Sequence, residues 1–83
     1  MSGITHRLVG YDRTTERVVD EYDVPDAVLR QAKDIAKVPA DDPDAALCYG
    51  PLAPNAARDL AGWIKAGINT DTRDYFLEGF AAE

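Results

Sequence analysis

The nucleophilic and metal-binding chemistry open to this 83-residue sequence rests on very few side chains, because Ser2, His6 and Cys48 are its only serine, histidine and cysteine. A serine nucleophile needs a rigid turn and a histidine oriented by a carboxylate, and Ser2 stands beside the N-terminus, outside every element the pattern predicts. Cys48 with His6 is then the one nucleophile pair the composition permits. Nothing local to either residue supports it. A single cysteine beside Tyr49 reads as a small packed hydrophobe, and His6, alternating within a strand pattern, reads as a sheet-face residue near Tyr22. Zinc draws on several Cys and His ligands, and one of each is too few. Calcium can use oxygen alone, and Asp42 with Asp44 opens the spacing of an EF-hand loop, but the next ligand position holds Ala46 and the required glycine is Leu47. The run from Asn69 and Asp71 fails in the same way at Arg73 and Asp74. Among the six glycines only Gly62 and Gly67 lie within six residues of each other, so neither a P-loop nor a dinucleotide fingerprint is present. Fifteen acids in 83 residues bring some pair together by chance, so paired carboxylates carry no signal. The sequence therefore predicts no catalytic residue, no metal site, no cofactor and no enzymatic activity.

What the sequence does concentrate is negative charge. Nine Lys and Arg against fifteen Asp and Glu give a net charge of −6, the reverse of the basic footprint that a phosphate backbone requires. The same charge opposes adsorption to anionic membranes. No uncharged run approaches the roughly 18 apolar residues of a spanning helix, and the longest, Ala45 to Ala57, contains Pro51 and Pro54. Met1 to Ile4 leads into His6 and Arg7 without the apolar stretch of a signal peptide. With a lone cysteine fitting a reducing compartment, a cytoplasmic protein is expected, bound directly to neither nucleic acid nor membrane. The acids are clustered: Asp20, Glu21, Asp23 and Asp26 form one patch, and Asp41, Asp42 and Asp44 form another. Asp71, Asp74, Glu78 and Glu83 outnumber Arg73 near the end. Between Lys37 and Arg58 there is no basic residue. Solubility alone accounts for such charge. The sharper reading is a docking face for a basic partner, in which Asp41, Asp42 and Asp44 steer the encounter and Tyr49 supplies the buried anchor.

These residues must be positioned by a single domain, 1–83, since the chain is far shorter than the length at which one core divides. Its 46% hydrophobic and 29% charged content is ordinary globular usage, so the chain is expected to fold. Ile4 to Tyr11 and Arg17 to Val24 carry β-branched and aromatic residues around the polar stretch Asp12 to Glu16, which predicts a β-hairpin. If Tyr11 faces Arg17, one face holds Ile4, Leu8, Val18, Tyr22 and Val24, and Arg7 lies opposite Glu21 on the other. That register leaves Asp20 on the inner face. It also leaves Val9, Tyr11 and Val19 exposed, ringed by Arg7, Arg17 and Glu21, a patch suited to a homodimer or a partner unless another strand or the C-terminal tail covers it. Pro25 and Asp26 open a helix running through Lys37, with Val28, Leu29, Ala32, Ile35 and Ala36 on its apolar side. Pro39 stops it, and Asp41 to Asp44 has turn chemistry. Leu47 to Leu52 has room for only a short extended piece. Pro54 opens a second helix whose buried stripe is Ala56, Ala57, Leu60, Ala61, Trp63 and Ile64, with Gly67 as its left-handed cap. Tyr75, Phe76, Leu77 and Phe80 form a last strand. The expected fold is α+β, a three- or four-stranded, mainly antiparallel sheet with two helices on one face, in the order ββα-loop-αβ.

The segments Tyr49, Pro51, Leu52, Pro54, Ala57 and Asp74, Tyr75, Phe76, Leu77, Glu78 resemble a pattern of small uncharacterised bacterial proteins, in which a hairpin precedes a Tyr-Pro turn, a helix and a Tyr-Phe-Leu-Glu ending. Here Gly50 separates Tyr49 from Pro51, where that pattern has them adjacent. The resemblance implies a free-standing bacterial cytoplasmic domain and carries no activity. On residues and resemblance together, the expected role is a small acidic protein-interaction or accessory domain without catalysis. The alternative is an acidic inhibitor, of the immunity, antitoxin or anti-defence type, that occupies the basic nucleic-acid-binding surface of another protein.

Overall fold

The computed structural model describes residues 4–42 and 44–81; the roles expected of Met1, Ser2, Pro43 and Glu83 lie outside the described residues. Six elements follow one another: β1 (Ile4–Asp12), β2 (Val18–Val24), α1 (Asp26–Ala36), β3 (Cys48–Tyr49), α2 (Pro54–Ile64) and β4 (Arg73–Ala81). The strands form one sheet in the order β2-β1-β4-β3, antiparallel throughout. The fold is α+β, with both helices on the same side of the sheet. There Leu8, Val24, Tyr75 and Leu77 meet Ala32, Ala57, Leu60 and Ala61 in a single buried cluster.

The hairpin forms with the expected faces and a different register. Leu8 pairs with Tyr22 and Arg7 with Asp23, two residues along from the expected alignment. A two-residue slip returns every side chain to the same face, so Leu8, Tyr22 and Val24 still point to the core. The turn absorbs the difference. Asp12 Oδ1 accepts the amides of Thr14 and Thr15 at 2.7 and 3.0 Å, Glu16 adopts a positive φ of 62°, and a bulge falls between Gly10 and Tyr11. The bulge brings Val18 opposite Tyr11 and leaves it 46% exposed, so Val18 is not the core residue the sequence predicts. Arg7 reaches Glu21 diagonally at 2.8 Å rather than directly across.

Pro25 precedes α1 with a φ of −64°, and Lys37 closes the helix in the left-handed region at φ 57°, with the amide of Val38 returning to the carbonyl of Lys33 at 3.0 Å. Pro54 opens α2 as expected, but the cap is Lys65 at φ 57°, two residues before Gly67. The early stop is held by the amide of Ala66 on the carbonyl of Ala61 at 2.9 Å and by Ala66 and Ile68 packing against the core. Trp63 is the second correction on this helix. Its core arc runs through Ala57, Leu60 and Ala61 with Ile64 at the edge. Trp63, two positions past Ala61, is rotated by about 200° from it, and its side chain stands in solvent, 51% exposed.

β4 lies between β1 and β3 in the centre of the sheet and begins at Arg73, two residues before the first apolar residue of the expected strand, Tyr75. Its placement depends on two glycines. Gly10 pairs with Tyr75, and the tyrosine ring lies across the space a side chain there would occupy, a built Cβ falling 2.6 Å from Tyr75 Cε1. Gly79 does the same for the loop before β3, where a Cβ would meet the Ala45 carbonyl oxygen at 2.6 Å.

Candidate functional site

The two residues that could have formed a nucleophilic pair are divided by the sheet. His6 lies on the helical side, 4% exposed, with Nε2 facing the Asp44 carbonyl at 2.9 Å. A carbonyl only accepts, so Nε2 donates and His6 serves to seat the loop beside Gly79. Cys48 pairs with Glu78 across from Arg7, on the opposite face. Its Sγ lies 3.5 Å from Glu78 Oε2, and partial burial together with that carboxylate pushes the thiol up to about 11. A thiol so held is a weak nucleophile at neutral pH.

The acidic loop, where Asp41, Asp42, Asp44 and Tyr49 were expected to meet a partner, divides into structural and free members. Asp42 accepts the Tyr49 hydroxyl and the amides of Ala46 and Leu47, at 3.1 and 3.3 Å for the two amides. The tyrosine hydroxyl, then the Ala46 amide, hold the Asp42 carboxyl below its ordinary range, and the same bond raises Tyr49 to about 12. Tyr49 is half-buried and packs against the core cluster. It fastens the loop to the sheet. Asp41 and Asp44 are exposed, and among the described residues no hydrogen bond or ion pair engages either side chain.

Asp20, the acid that the pattern leaves on the inner face, has partners that the sequence did not reveal. It shares a row across the sheet with Gly10 and Tyr75. Because Gly10 has no side chain, the Tyr75 ring crosses β1 and its hydroxyl reaches Asp20 Oδ2, while Arg73 Nη1 binds the same oxygen at 2.8 Å. The Asn69 amide donates to the Tyr75 hydroxyl at 3.0 Å. Burial first, then the Asp20 carboxylate, raises the Tyr75 pKa. The cluster is satisfied internally and belongs to the scaffold.

The face of the sheet away from the helices holds the remaining candidate. β1 contributes Arg7, Val9 and Tyr11, β4 contributes Phe76, Glu78 and Phe80, β2 contributes Glu21 and β3 contributes Cys48. Tyr11 and Phe76 meet edge to face with centroids 5.4 Å apart, and the Arg7 guanidinium lies 5.0 Å from the centroid of Phe80. Val9, expected in the open, sits between Phe76 and Glu21 in the middle row and is 2% exposed. The covering expected of a further strand is thus real for Val9, while Val19 remains 44% exposed. Beside the aromatic pair is a depression of about 320 Å³ whose lining includes Tyr11, Phe76, Cys48, Glu78, Asp74 and Arg13. The Tyr11 hydroxyl donates to Glu78 Oε2 at 2.7 Å, and this bond, with burial, raises Tyr11 to about 12. Sequence reading singled out Tyr11 and Val19 but not the depression, which exists only because β4 returns beside β1.

Residues 5–78 match the profile of the family described as Domain of unknown function (DUF7683). The chain belongs to that family. No curated protein and no solved structure matches it. Membership agrees with the expected resemblance to uncharacterised proteins and brings no activity with it. Among the described residues, no group of three or more His, Cys, Asp or Glu side chains could hold a metal ion, and no helix is long and apolar enough to cross a membrane.

Proposed function

We propose that this chain is a non-catalytic interaction domain that docks a partner protein on the helix-free face of its sheet. The observation that carries the proposal is that Tyr11, Phe76 and Phe80 stand half-buried on that face, the first two lining an open depression, while Val19 of β2 is exposed. Aromatic groups held rigid by neighbours, ringed by Arg7, Glu21 and Glu78, have the make-up of an interface core with a charged rim. The absence of a role in catalysis is supported by the separation of His6 from Cys48 by the sheet and by the raised thiol pKa.

The test compares two surfaces for affinity to one purified partner. Phe80→Ala and Val19→Ser alter the open face, and Trp63→Ser and Leu47→Ser alter exposed apolar residues elsewhere. The open-face pair is expected to weaken binding at least tenfold with little change in melting temperature, and the other pair to leave it unchanged. The opposite pattern would move the interface off this face.

The net charge of −6 also favours a narrower reading: the partner's surface is basic, as for an inhibitor that occupies a nucleic-acid-binding surface. Here affinity falls steeply with salt and with charge reversal at Asp41 and Asp44. Asp42 is left out of that reversal because it holds the loop together. Affinity indifferent to both changes would remove this reading.

A further inference from the structure

We infer that the depression between β1, β4 and β3 receives an arginine side chain of the partner, stacked against Tyr11 and Phe76 and paired with Glu78. The inference deepens the docking proposal and rests on it. The Tyr11 hydroxyl and the Cys48 thiol both converge on Oε2, and among the described residues no hydrogen bond engages Oε1. Glu78 is half-buried and lines the depression, so this oxygen is an unengaged acceptor on a side chain that borders the space. A carboxylate with a free oxygen beside an aromatic edge suits a planar, many-donor cation.

The surrounding charge points the same way. Four carboxylates, of Asp12, Glu16, Asp74 and Glu78, line the space against one guanidinium, that of Arg13. Arg13 is already committed: its Nε binds Asp74 at 2.8 Å and its terminal nitrogens bind the carbonyls of Thr70, Asp71 and Arg73. It is unavailable to an anion, and the excess of acid would repel one. Asp12 is likewise committed to the turn, but Glu16, also in the lining, is exposed. The raised pKa values of Tyr11 and Cys48 report the same negative field, since the Glu78 carboxylate contributes to both. Metal binding is disfavoured by the lack of a three-ligand group among the described residues. An organic cation remains, and arginine is preferred over lysine because its weakly hydrated plane can stack on a ring while its edge donates to a carboxylate.

The probe is a blocked pentapeptide with one central arginine, titrated at low ionic strength into the isotope-labelled full chain and followed by amide chemical shifts. Its control replaces arginine by citrulline, which keeps the shape and loses the charge. The arginine peptide is expected to shift Tyr11, Cys48, Phe76 and Glu78 saturably, the citrulline peptide to bind about tenfold more weakly, and Glu78→Gln to weaken the arginine peptide by about the same factor, as loss of one charge-assisted bond requires. Because Glu78 also holds Tyr11, Glu16→Gln, an exposed substitution, provides a second variant and is expected to weaken binding by a smaller factor. Equal binding of the two peptides, or indifference to both variants, overturns the inference. Partner binding separates this outcome from failure of the docking proposal. Affinity lost in Phe80→Ala with Val19→Ser but kept in Glu78→Gln and Glu16→Gln refutes the arginine site and leaves the docking face. Affinity kept in all four refutes both.

Discussion

Replacing Gly10 with alanine tests the central packing device of this fold, because the expected effect has the opposite sign to the usual one. Glycine in the middle of a strand is ordinarily worse than alanine by about 0.5–1 kcal/mol, so a substitution with free space would stabilise. Here the new Cβ would fall 2.6 Å from Tyr75 Cε1, 3.0 Å from Cζ and 3.1 Å from Cδ1. The ring cannot easily retreat, since Tyr75 is 1% exposed and its hydroxyl is tied to Asp20 and to the Asn69 amide. Overpacking of this kind costs about 1–3 kcal/mol, and disturbing the hydroxyl's hydrogen bonds about 1 more. After the favourable glycine term, a net loss of about 1–3 kcal/mol remains, a fall of about 5–20 °C in melting temperature for a domain of this size. Urea denaturation followed by circular dichroism measures it. In a Tyr75→Leu background the obstruction is gone, and Gly10→Ala is expected to be neutral or stabilising. A higher melting temperature for Gly10→Ala in the otherwise native chain would refute the reasoning.

Other consequences of the same geometry are open to measurement. Gly79→Ala places a Cβ 2.6 Å from the Ala45 carbonyl oxygen and 3.0 Å from Ile4 Cγ2, so it is expected to displace the loop around Ala45 and speed amide exchange at Ala46 and Leu47; unchanged exchange would contradict this. Asp20→Asn removes the charge that Arg73 and Tyr75 share and is expected to cost about 1–3 kcal/mol in denaturant unfolding, whereas a loss under about 0.5 kcal/mol would show the cluster to be slack. Tyr11 and Tyr49 are both raised to about 12, so an ultraviolet titration should lose its component near that pH in stepwise fashion in Tyr11→Phe and Tyr49→Phe. For the Asp42–Tyr49 bond the signs are opposite at its two ends. Lowering of Asp42 from 3.8 gives stability that is present above 3.8 and lost as the pH falls through the lower folded value. Raising of Tyr49 from 10.0 gives stability that is present below 10.0 and lost as the pH rises through about 12. Protection of the Ala46 amide across the interval between, and its loss at both ends, is the expected record.

The elements whose signals are local were legible in the sequence. Pro25 and Pro54 mark helix starts because the missing amide and fixed φ act within one residue, and the alternation in β1 and β2 assigns their faces whichever even register applies. The register itself was not legible, because Asp12 turning back on Thr14 and Thr15 and the bulge beside Gly10 set it together. Asp20 looked misplaced because its partners, Arg73 and Tyr75, arrive from a strand more than fifty positions away. Trp63 misled because its size and its place beside Ile64 suggested burial, although it lies about 200° round the helix from Ala61; Gly67 misled because Lys65 takes the left-handed cap two residues earlier. Of the candidate interaction residues, Asp42 and Tyr49 were legible only as members of one acidic-aromatic surface with Asp41 and Asp44, not as hydrogen-bond partners of each other. The depression at Glu78 could not be read at all, since it needs β1, β3 and β4 side by side.

The chain carries its own pair of probes for the docking claim. Cys48, the only cysteine, lines the depression on the open face, and Trp63, the only tryptophan, stands exposed on α2 on the helical side. Alkylation of Cys48 at pH 9 and Trp63 fluorescence, each recorded with and without saturating partner, therefore report on opposite surfaces of one molecule. Docking on the helix-free face predicts that the partner slows Cys48 alkylation at least tenfold while the Trp63 spectrum stays put. An unchanged alkylation rate together with a shifted or quenched Trp63 spectrum would contradict it.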